Sequence, residues 1–176
     1  MKKKGHVFWL TGLSGAGKST LAKGAASRLD LQNLTVVILD GDDLRSGLCS
    51  DLGFDDDSRH EQCRRMAHIA KLLQKQGVIV LVALISPFKS DREKAQHLIG
   101  EDNFSEIFVD ADLLTCISRD TKGLYKKSRF GENPFMTGIS SIYEHPSTPD
   151  LVIQSTNWSV DVAVEMLVKF ILVELE

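Results

Sequence analysis

Short apolar runs alternate with longer, partly polar segments along the whole chain. Two of these runs, 36–39 and 78–85, are almost continuously apolar and rich in β-branched residues, which is typical of strands buried on both faces. Three shorter runs resemble them. The pattern predicts five β-strands, at Val7–Leu10, Val36–Leu39, Val78–Ile85, Ile107–Val109 and Leu151–Ile153.

The segments between the apolar runs have the periodicity of amphipathic helices. The last of them carries Val162, Met166, Phe170 and Val173 at helical spacing, which predicts a helix that closes the fold. Strands that alternate with helices indicate an α/β protein with a mostly parallel five-stranded sheet, covered on both faces. The predicted helices span 18–29, 59–76, 90–99, 112–119 and 159–174.

Composition limits the domain organisation and the classes of partner. The 176 residues suffice for one domain, and no Pro- or Ser-rich linker divides them, so we expect a single domain over 1–176. Because 21 Lys and Arg stand against 24 Asp and Glu, we expect no nucleic-acid polymer as partner. The three cysteines lack the spacing of a disulfide framework or a zinc site. The charged start 1–4 precedes too short an apolar run for a signal peptide, which predicts a cytoplasmic protein without membrane attachment.

A glycine-rich motif follows the first apolar run directly. Its sequence, Gly-Leu-Ser-Gly-Ala-Gly-Lys-Ser over 12–19, fits the pattern G-x-x-x-x-G-K-[ST] of a phosphate-binding loop. In such a loop the backbone N–H groups wrap a phosphate chain, Lys18 reaches the β- and γ-phosphates, and the Ser19 hydroxyl ligates Mg²⁺. The motif predicts a nucleoside triphosphate, with ATP as the default, and Mg²⁺ as cofactors on a three-layer P-loop NTPase fold. The predicted nucleotide contacts are Gly12, Ser14, Gly15, Ala16, Gly17, Lys18, Ser19 and Thr20.

Acidic residues follow the second strand, where ligands collect in a parallel sheet. Asp40 and Asp42 are separated by one glycine, so one carboxylate is expected to position the metal and the other to take a proton from an acceptor hydroxyl. The alternative is that these acids only cap the next helix. After the third strand, Ser86 is a weaker candidate for a hydrogen bond to a phosphate.

The most basic stretch of the chain spans 119–129. A run of charges is usually a solvated surface. Phosphoryl transfer, however, requires cations over the developing charge and exclusion of water, so this stretch also fits a mobile basic lid over about 119–140. Both interpretations remain open from the residues alone.

The motifs together resemble the adenylylsulfate (APS) kinase family. They cover nearly the whole chain in the family's order: Gly12-Leu-Ser-Gly-Ala-Gly-Lys-Ser19, Asp40-Gly-Asp-Asp43, Asp51-Leu-Gly-Phe54, Arg64-Arg65, Ile85-Ser-Pro-Phe88, Arg119-Asp-Thr-Lys-Gly-Leu-Tyr-Lys-Lys127, Thr137-Gly-Ile139 and Tyr143-Glu144. The resemblance implies a kinase that transfers the γ-phosphate of ATP to the ribose 3′-hydroxyl of adenosine 5′-phosphosulfate, with Mg²⁺, and a homodimer.

The resemblance also implies roles for individual residues. Asp42 corresponds to the base and Asp40 lies near the metal, with Lys18 as the third catalytic residue. Arg119 corresponds to a further nucleotide contact. Arg45 and Arg59 correspond to residues that hold the acceptor's anionic part, and Phe54 to an aromatic that stacks on its base. The structural alternatives are that Phe54 is a core residue and that Arg59 is a surface residue of a helix. The implied acceptor contacts are Asp42, Arg45, Phe54, Arg59, Gln62, Ile85, Ser86, Lys122 and Met136.

Departures from the family pattern cluster around the acceptor. Gln62 stands where the family has asparagine, Thr121 replaces a proline, and Met136 stands where a second stacking aromatic is usual, with Phe135 displaced by one position. Because one stacked base is worth roughly 1–3 kcal/mol, these changes leave open a different acceptor, such as a cytidine diphosphoramidate. A nucleotide-binding regulatory module is a further alternative, although Lys18, Asp40 and Asp42 are all retained.

Overall fold

A computed structural model describes residues 5–120, 122–130 and 134–176, so Thr121 and residues 131–133 of the predicted lid lie outside the described part. The described strands form one sheet in the order β2-β3-β1-β4-β5, and every neighbouring pair is parallel. This confirms the predicted α/β class. The strands are β1 (His6–Thr11), β2 (Val36–Asp40), β3 (Ile79–Ala83), β4 (Phe104–Asp110) and β5 (Leu151–Gln154).

Helices connect the strands and lie on both faces of the sheet. They are α1 (Lys18–Asp30), α2 (Gly41–Arg45), α3 (Asp56–Gln74), α4 (Lys89–Ile99), α5 (Leu113–Arg119), α6 (Leu124–Arg129) and α7 (Val160–Glu174), with a single 3-10 turn at Glu101–Asn103.

The five predicted strands and the five predicted helices are present, with differences at their ends, and two short helices are additional. β3 ends at Ala83 rather than Ile85, because the chain turns at Ser86, whose φ is +40°. α3 begins at Asp56, earlier than predicted, since the side chain of Asp55 accepts a hydrogen bond from the Ser58 N–H and caps it. The short helices α2 and α6 were not predicted, because one or two turns are too short for a periodic apolar pattern.

The core has two halves, one on each face of the sheet. In β1, Phe8 and Leu10 point into the half covered by α1 and α7. Val7 and Trp9 point into the other half, which α3 and α4 cover. A strand buried on both faces presents alternate side chains to each, which explains why β1 is apolar at four consecutive positions.

The turn after β1 fits closely against β4. A Cβ atom built at Gly12 would lie 2.4 Å from the carbonyl oxygen of Val109. Since that neighbour is backbone within the central sheet, it cannot move aside as a flexible side chain would. Gly12 therefore lets the phosphate-binding loop leave the sheet at this point.

We predict that Gly12→Ala lowers the free energy of unfolding by about 2 kcal/mol or more, because overpacking against backbone displaces β4 or the loop. Urea unfolding of the two proteins measures this. Gly47→Ala is the matched control, since a Cβ there meets no atom within 4 Å. The control should change stability by less than about 0.5 kcal/mol. Equal effects of the two substitutions would contradict the packing argument.

Candidate functional site

A cavity of about 490 Å³ opens at the carboxyl ends of the strands. Every residue that sequence analysis placed in the nucleotide and acceptor sites lines it, except Gly12, which lies behind the loop against Val109. The topology explains the convergence, because parallel strands end at one edge of the sheet and the loops that follow them meet there.

The phosphate-binding loop forms one end of the cavity and surrounds a buried lysine. The Lys18 Nζ donates hydrogen bonds to the carbonyls of Gly12 (2.8 Å) and Leu13 (2.7 Å), and the residue is 8% exposed. Burial lowers the pKa of Lys18 to about 8, although the negative charges of Asp42 and Asp40 oppose this shift. A nearby phosphate stabilises the charged form of this buried lysine, because its oxygens replace the water that burial removed.

Asp40 is bonded on both carboxylate oxygens. Its Oδ1 accepts from the Asp42 N–H (3.0 Å) and caps α2, while its Oδ2 accepts from the Ser19 hydroxyl (2.5 Å). The capping interpretation is therefore confirmed for this residue, and its role at the metal stays a prediction. Two oxygen donors side by side, one of them anionic, fit a hard cation such as Mg²⁺.

Asp42 faces the basic segment. Its carboxylate forms an ion pair with Lys122, which brings residue 122 against α2. The Tyr125 hydroxyl donates to the Ser14 carbonyl (2.9 Å), a second link between the basic segment and the phosphate loop. Lys126 and Lys127 are exposed. The basic stretch thus divides between cavity and solvent, and closure as a lid stays a prediction.

An arginine stacked on an aromatic ring forms the other end of the cavity. The Arg45 guanidinium carbon lies 4.5 Å from the centroid of Phe54, and the Nη1 of Arg45 donates to the Gly53 carbonyl (2.6 Å). Phe54 is 43% exposed, so its assignment to the core is wrong, and its ring is available to a ligand. Burial lowers the pKa of Arg45.

Arg59 is buried rather than on the surface of α3. It is 7% exposed, its Nε donates to the Phe54 carbonyl (2.9 Å), and its Nη2 donates to the Phe135 carbonyl (2.8 Å). The surface-helix interpretation is therefore wrong. Burial, followed by the repulsion of Arg45, lowers the pKa of Arg59 to about 10. The guanidinium stays charged at neutral pH and favours an anionic ligand.

The departures from the family pattern have structural consequences of their own. The Gln62 amide joins α3 to both ends of α2, since its Oε1 accepts from Arg45 (2.6 Å) and its Nε2 donates to the Gly41 carbonyl (2.8 Å). Met136 is 2% exposed and packs into the core while it still lines the cavity. Phe135 is 44% exposed. Direct contact of Gln62 and Met136 with an acceptor stays a prediction.

A sequence profile of the family described as adenylylsulphate kinase matches residues 4–154. The adenylyl-sulfate kinase of Bacillus velezensis is 51% identical over 170 residues, which cover 97% of this chain and 86% of the relative. The adenylyl-sulfate kinase of Bacillus licheniformis is 55% identical over 152 residues, 86% of this chain and 77% of the relative. The chain belongs to the adenylylsulphate kinase family.

A solved structure agrees with this membership. The APS kinase CysC of Mycobacterium tuberculosis, solved in complex with AMPPNP and APS, is 40% identical, covers 96% of this chain and 98% of its own length, and superposes with a TM-score of 0.91. The family, the P-loop kinase fold and the enzyme class predicted from the sequence are therefore confirmed.

Sequence reasoning missed a residue that supports the adenylylsulphate kinase site from β5. The Ser155 hydroxyl donates to the Ala16 carbonyl (2.6 Å), and the Ser155 carbonyl accepts from Arg119 Nη2 (2.7 Å). This serine joins Arg119 to the phosphate loop. Ser155 follows β5 and lies two residues after the predicted run Leu151–Ile153, so reading the two residues after every apolar run would have found it.

We predict that binding of Mg-ATP takes up a proton between pH 8 and 10. A polyphosphate raises the pKa of Lys18 from about 8, so affinity is flat below that pH and falls by up to about tenfold per unit above it. Calorimetry in two buffers of different ionisation enthalpy measures the uptake. At pH 6.5 the lysine is already charged, so no uptake from Lys18 is expected there. Uptake that is equal at both pH values would contradict this assignment.

Proposed function

We propose that this protein is an adenylylsulfate kinase, which transfers the γ-phosphate of ATP to the ribose 3′-hydroxyl of adenosine 5′-phosphosulfate. The observation that carries the proposal is one continuous cavity, with a phosphate-binding loop at one end and Arg45, Phe54 and Arg59 at the other. Asp42 lies between them. The Mycobacterium tuberculosis APS kinase, solved in complex with AMPPNP and APS, supports a site that takes a nucleotide donor and this acceptor together.

At the donor end, the loop amides and Lys18 bind the β- and γ-phosphates of ATP. Ser19 and Asp40 would supply oxygen ligands for Mg²⁺, which would neutralise phosphate charge. Because Asp40 also caps α2, the carboxylate that would hold the metal also orients α2. Arg119 contacts the nucleotide from the end of α5.

At the reacting centre, Asp42 accepts the proton of the acceptor hydroxyl as that oxygen attacks the γ-phosphorus. The bond from the γ-phosphorus to the bridging oxygen breaks, and ADP leaves with the electron pair. Lys122 pairs with Asp42 in this structure, and it supplies a positive charge beside the transferred group.

At the acceptor end, Arg45 and Arg59 bind the phosphosulfate, and Phe54 stacks on the adenine. The half-buried guanidinium of Arg45 repels the buried guanidinium of Arg59, and a dianionic ligand relieves that repulsion. Gln62, Ile85, Ser86 and Met136 line this end of the cavity. Lys18, Asp40 and Asp42 are all present, which favours an enzyme over a module that only binds nucleotides.

Homodimeric assembly and a cytoplasmic location stay predictions. A hexameric APS kinase from Thiobacillus denitrificans, 29% identical, is a relative of different assembly, and this chain covers 30% of its length. Among the described residues, no helix combines the length and apolarity needed to cross a membrane.

We predict that the purified protein releases ADP from Mg-ATP with adenosine 5′-phosphosulfate as acceptor. A coupled assay with cytidine diphosphoramidate and ordinary nucleotides at matched concentrations measures specificity. Rapid turnover with adenosine 5′-phosphosulfate alone would support the proposal. Turnover only with the cytidine compound would reject it and make Gln62 and Met136 candidates for the changed specificity.

We predict that Asp42→Asn lowers kcat by about 100-fold or more, because an amide does not accept the hydroxyl proton. Affinity for Mg-ATP, measured by calorimetry, should change by less than about threefold, since the phosphate loop is intact. Asp43→Asn is the matched control and should keep near-normal kcat. A normal kcat for Asp42→Asn would rule out this residue as the base.

A further inference from the structure

A buried arginine outside the cavity holds the backbone that forms one wall of it. Arg92, on α4, is 3% exposed and is absent from the cavity lining. Its three nitrogens each donate one hydrogen bond: Nε to Glu106 Oε1 (2.5 Å), Nη1 to the Ser86 carbonyl (2.8 Å) and Nη2 to the Glu144 carbonyl (2.8 Å). The planar guanidinium therefore sets the distances between the backbone at Ser86, the backbone at Glu144 and the side chain of Glu106 on β4.

The segment that Arg92 holds is strained. Ser86 has a φ of +40°, a left-handed conformation that is unusual for a residue with a side chain and further disfavoured before Pro87. Such a conformation persists only where surrounding contacts impose it. Trp9 Nε1 donates to the Ser86 hydroxyl (3.0 Å), and Arg92 binds the Ser86 carbonyl. The side chain and the backbone of Ser86 are thus held from two directions.

Glu144 completes the support from the other side. Its N–H donates to the Pro87 carbonyl (2.8 Å), and its Oε2 accepts from the Lys89 N–H at the start of α4 (2.6 Å). Arg92 binds the carbonyl of the same Glu144. Arg92 and Glu144 therefore hold the turn from Ser86 to Lys89 on both sides. Glu144 belongs to the Tyr143-Glu144 motif, and the proposed chemistry assigns no role to this motif.

We propose that Arg92 is a positioning residue for the phosphoryl acceptor, because it fixes the Ile85–Pro87 wall of the cavity through Ser86 and Glu144. This inference rests on the proposed function for the identity of the acceptor. The donor phosphates bind to the separate loop 12–20, so loss of Arg92 should affect the acceptor and leave the donor nearly unchanged. Lysine cannot replace it, since a single ammonium does not reproduce three divergent donors.

The test compares two variants with the wild type. Arg92→Lys keeps the positive charge beside Glu106 but loses the three divergent N–H donors of the guanidinium. The double variant Arg92→Met with Glu106→Gln removes both charges, so that no buried ion is left without its partner. In both, we expect the KM for adenosine 5′-phosphosulfate to rise about tenfold or more while the KM for ATP stays within about twofold. Ile99→Ala is the control, since this buried residue ends the same helix away from the wall and reports the effect of lost stability alone.

A second readout does not depend on activity. Hydrogen exchange of the Trp9 indole N–H, followed by NMR and assigned with Trp158→Phe, reports on its bond to Ser86. We expect the indole N–H to exchange about tenfold faster in Arg92→Lys than in Ile99→Ala, after correction for any difference between the two variants in melting temperature. This measurement remains informative if one of the variants is poorly active.

The outcomes separate the two proposals. A rise in the acceptor KM alone, with faster Trp9 exchange, supports positioning by Arg92. Unchanged KM values in Arg92→Lys, or equal rises for donor and acceptor that match Ile99→Ala, would overturn it. If the wild type does not phosphorylate adenosine 5′-phosphosulfate, the proposed function fails, and unchanged Trp9 exchange would then reject the positioning role independently.

Discussion

The site depends on the carboxylate of Asp40, which joins three elements at the edge of the sheet. One oxygen caps α2 and so determines where Asp42 and Arg45 point, and the other holds Ser19 on α1. The helix cap and the proposed metal ligand both require an anionic oxygen at the end of a strand, and Asp40 offers one oxygen for each. The phosphate-binding loop and α2, which carries Asp42 and Arg45, are therefore positioned by the same residue.

Around that point the protein buries positive charge that it does not fully neutralise. Lys18 has a pKa lowered to about 8 and Arg59 a pKa lowered to about 10, in both cases because burial removes hydration. Anionic ligands at either end of the cavity restore the lost stabilisation. Folding has already removed water from these cations, so an anionic ligand does not have to displace that water and binds with higher affinity.

Sequence reasoning was most successful where a motif is local. The spacing of Gly12, Gly17 and Lys18 specifies a loop whose function follows from its own backbone, and the residues after β2 follow from the rule for parallel sheets. It was less successful for α2, which Asp40 caps, and for α6, whose Tyr125 and Lys126 N–H groups donate to the carboxylate of Asp120, because neither helix rests on apolar periodicity. The membership of Phe54 and Arg59 in the site came from resemblance, and their alternatives were decided only by their burial.

The sequence by itself determined the α/β class, the phosphate loop and the kinase family, because apolar periodicity and contiguous motifs are properties of neighbouring residues. Tertiary structure alone decided the contacts between distant segments. The Gln62 amide on α3 bonds to Arg45 and Gly41 at the two ends of α2, and Arg92 on α4 bonds to Ser86, Glu106 and Glu144. Such hydrogen bonds depend on distances and directions between elements, which residue types and spacing along the chain do not specify.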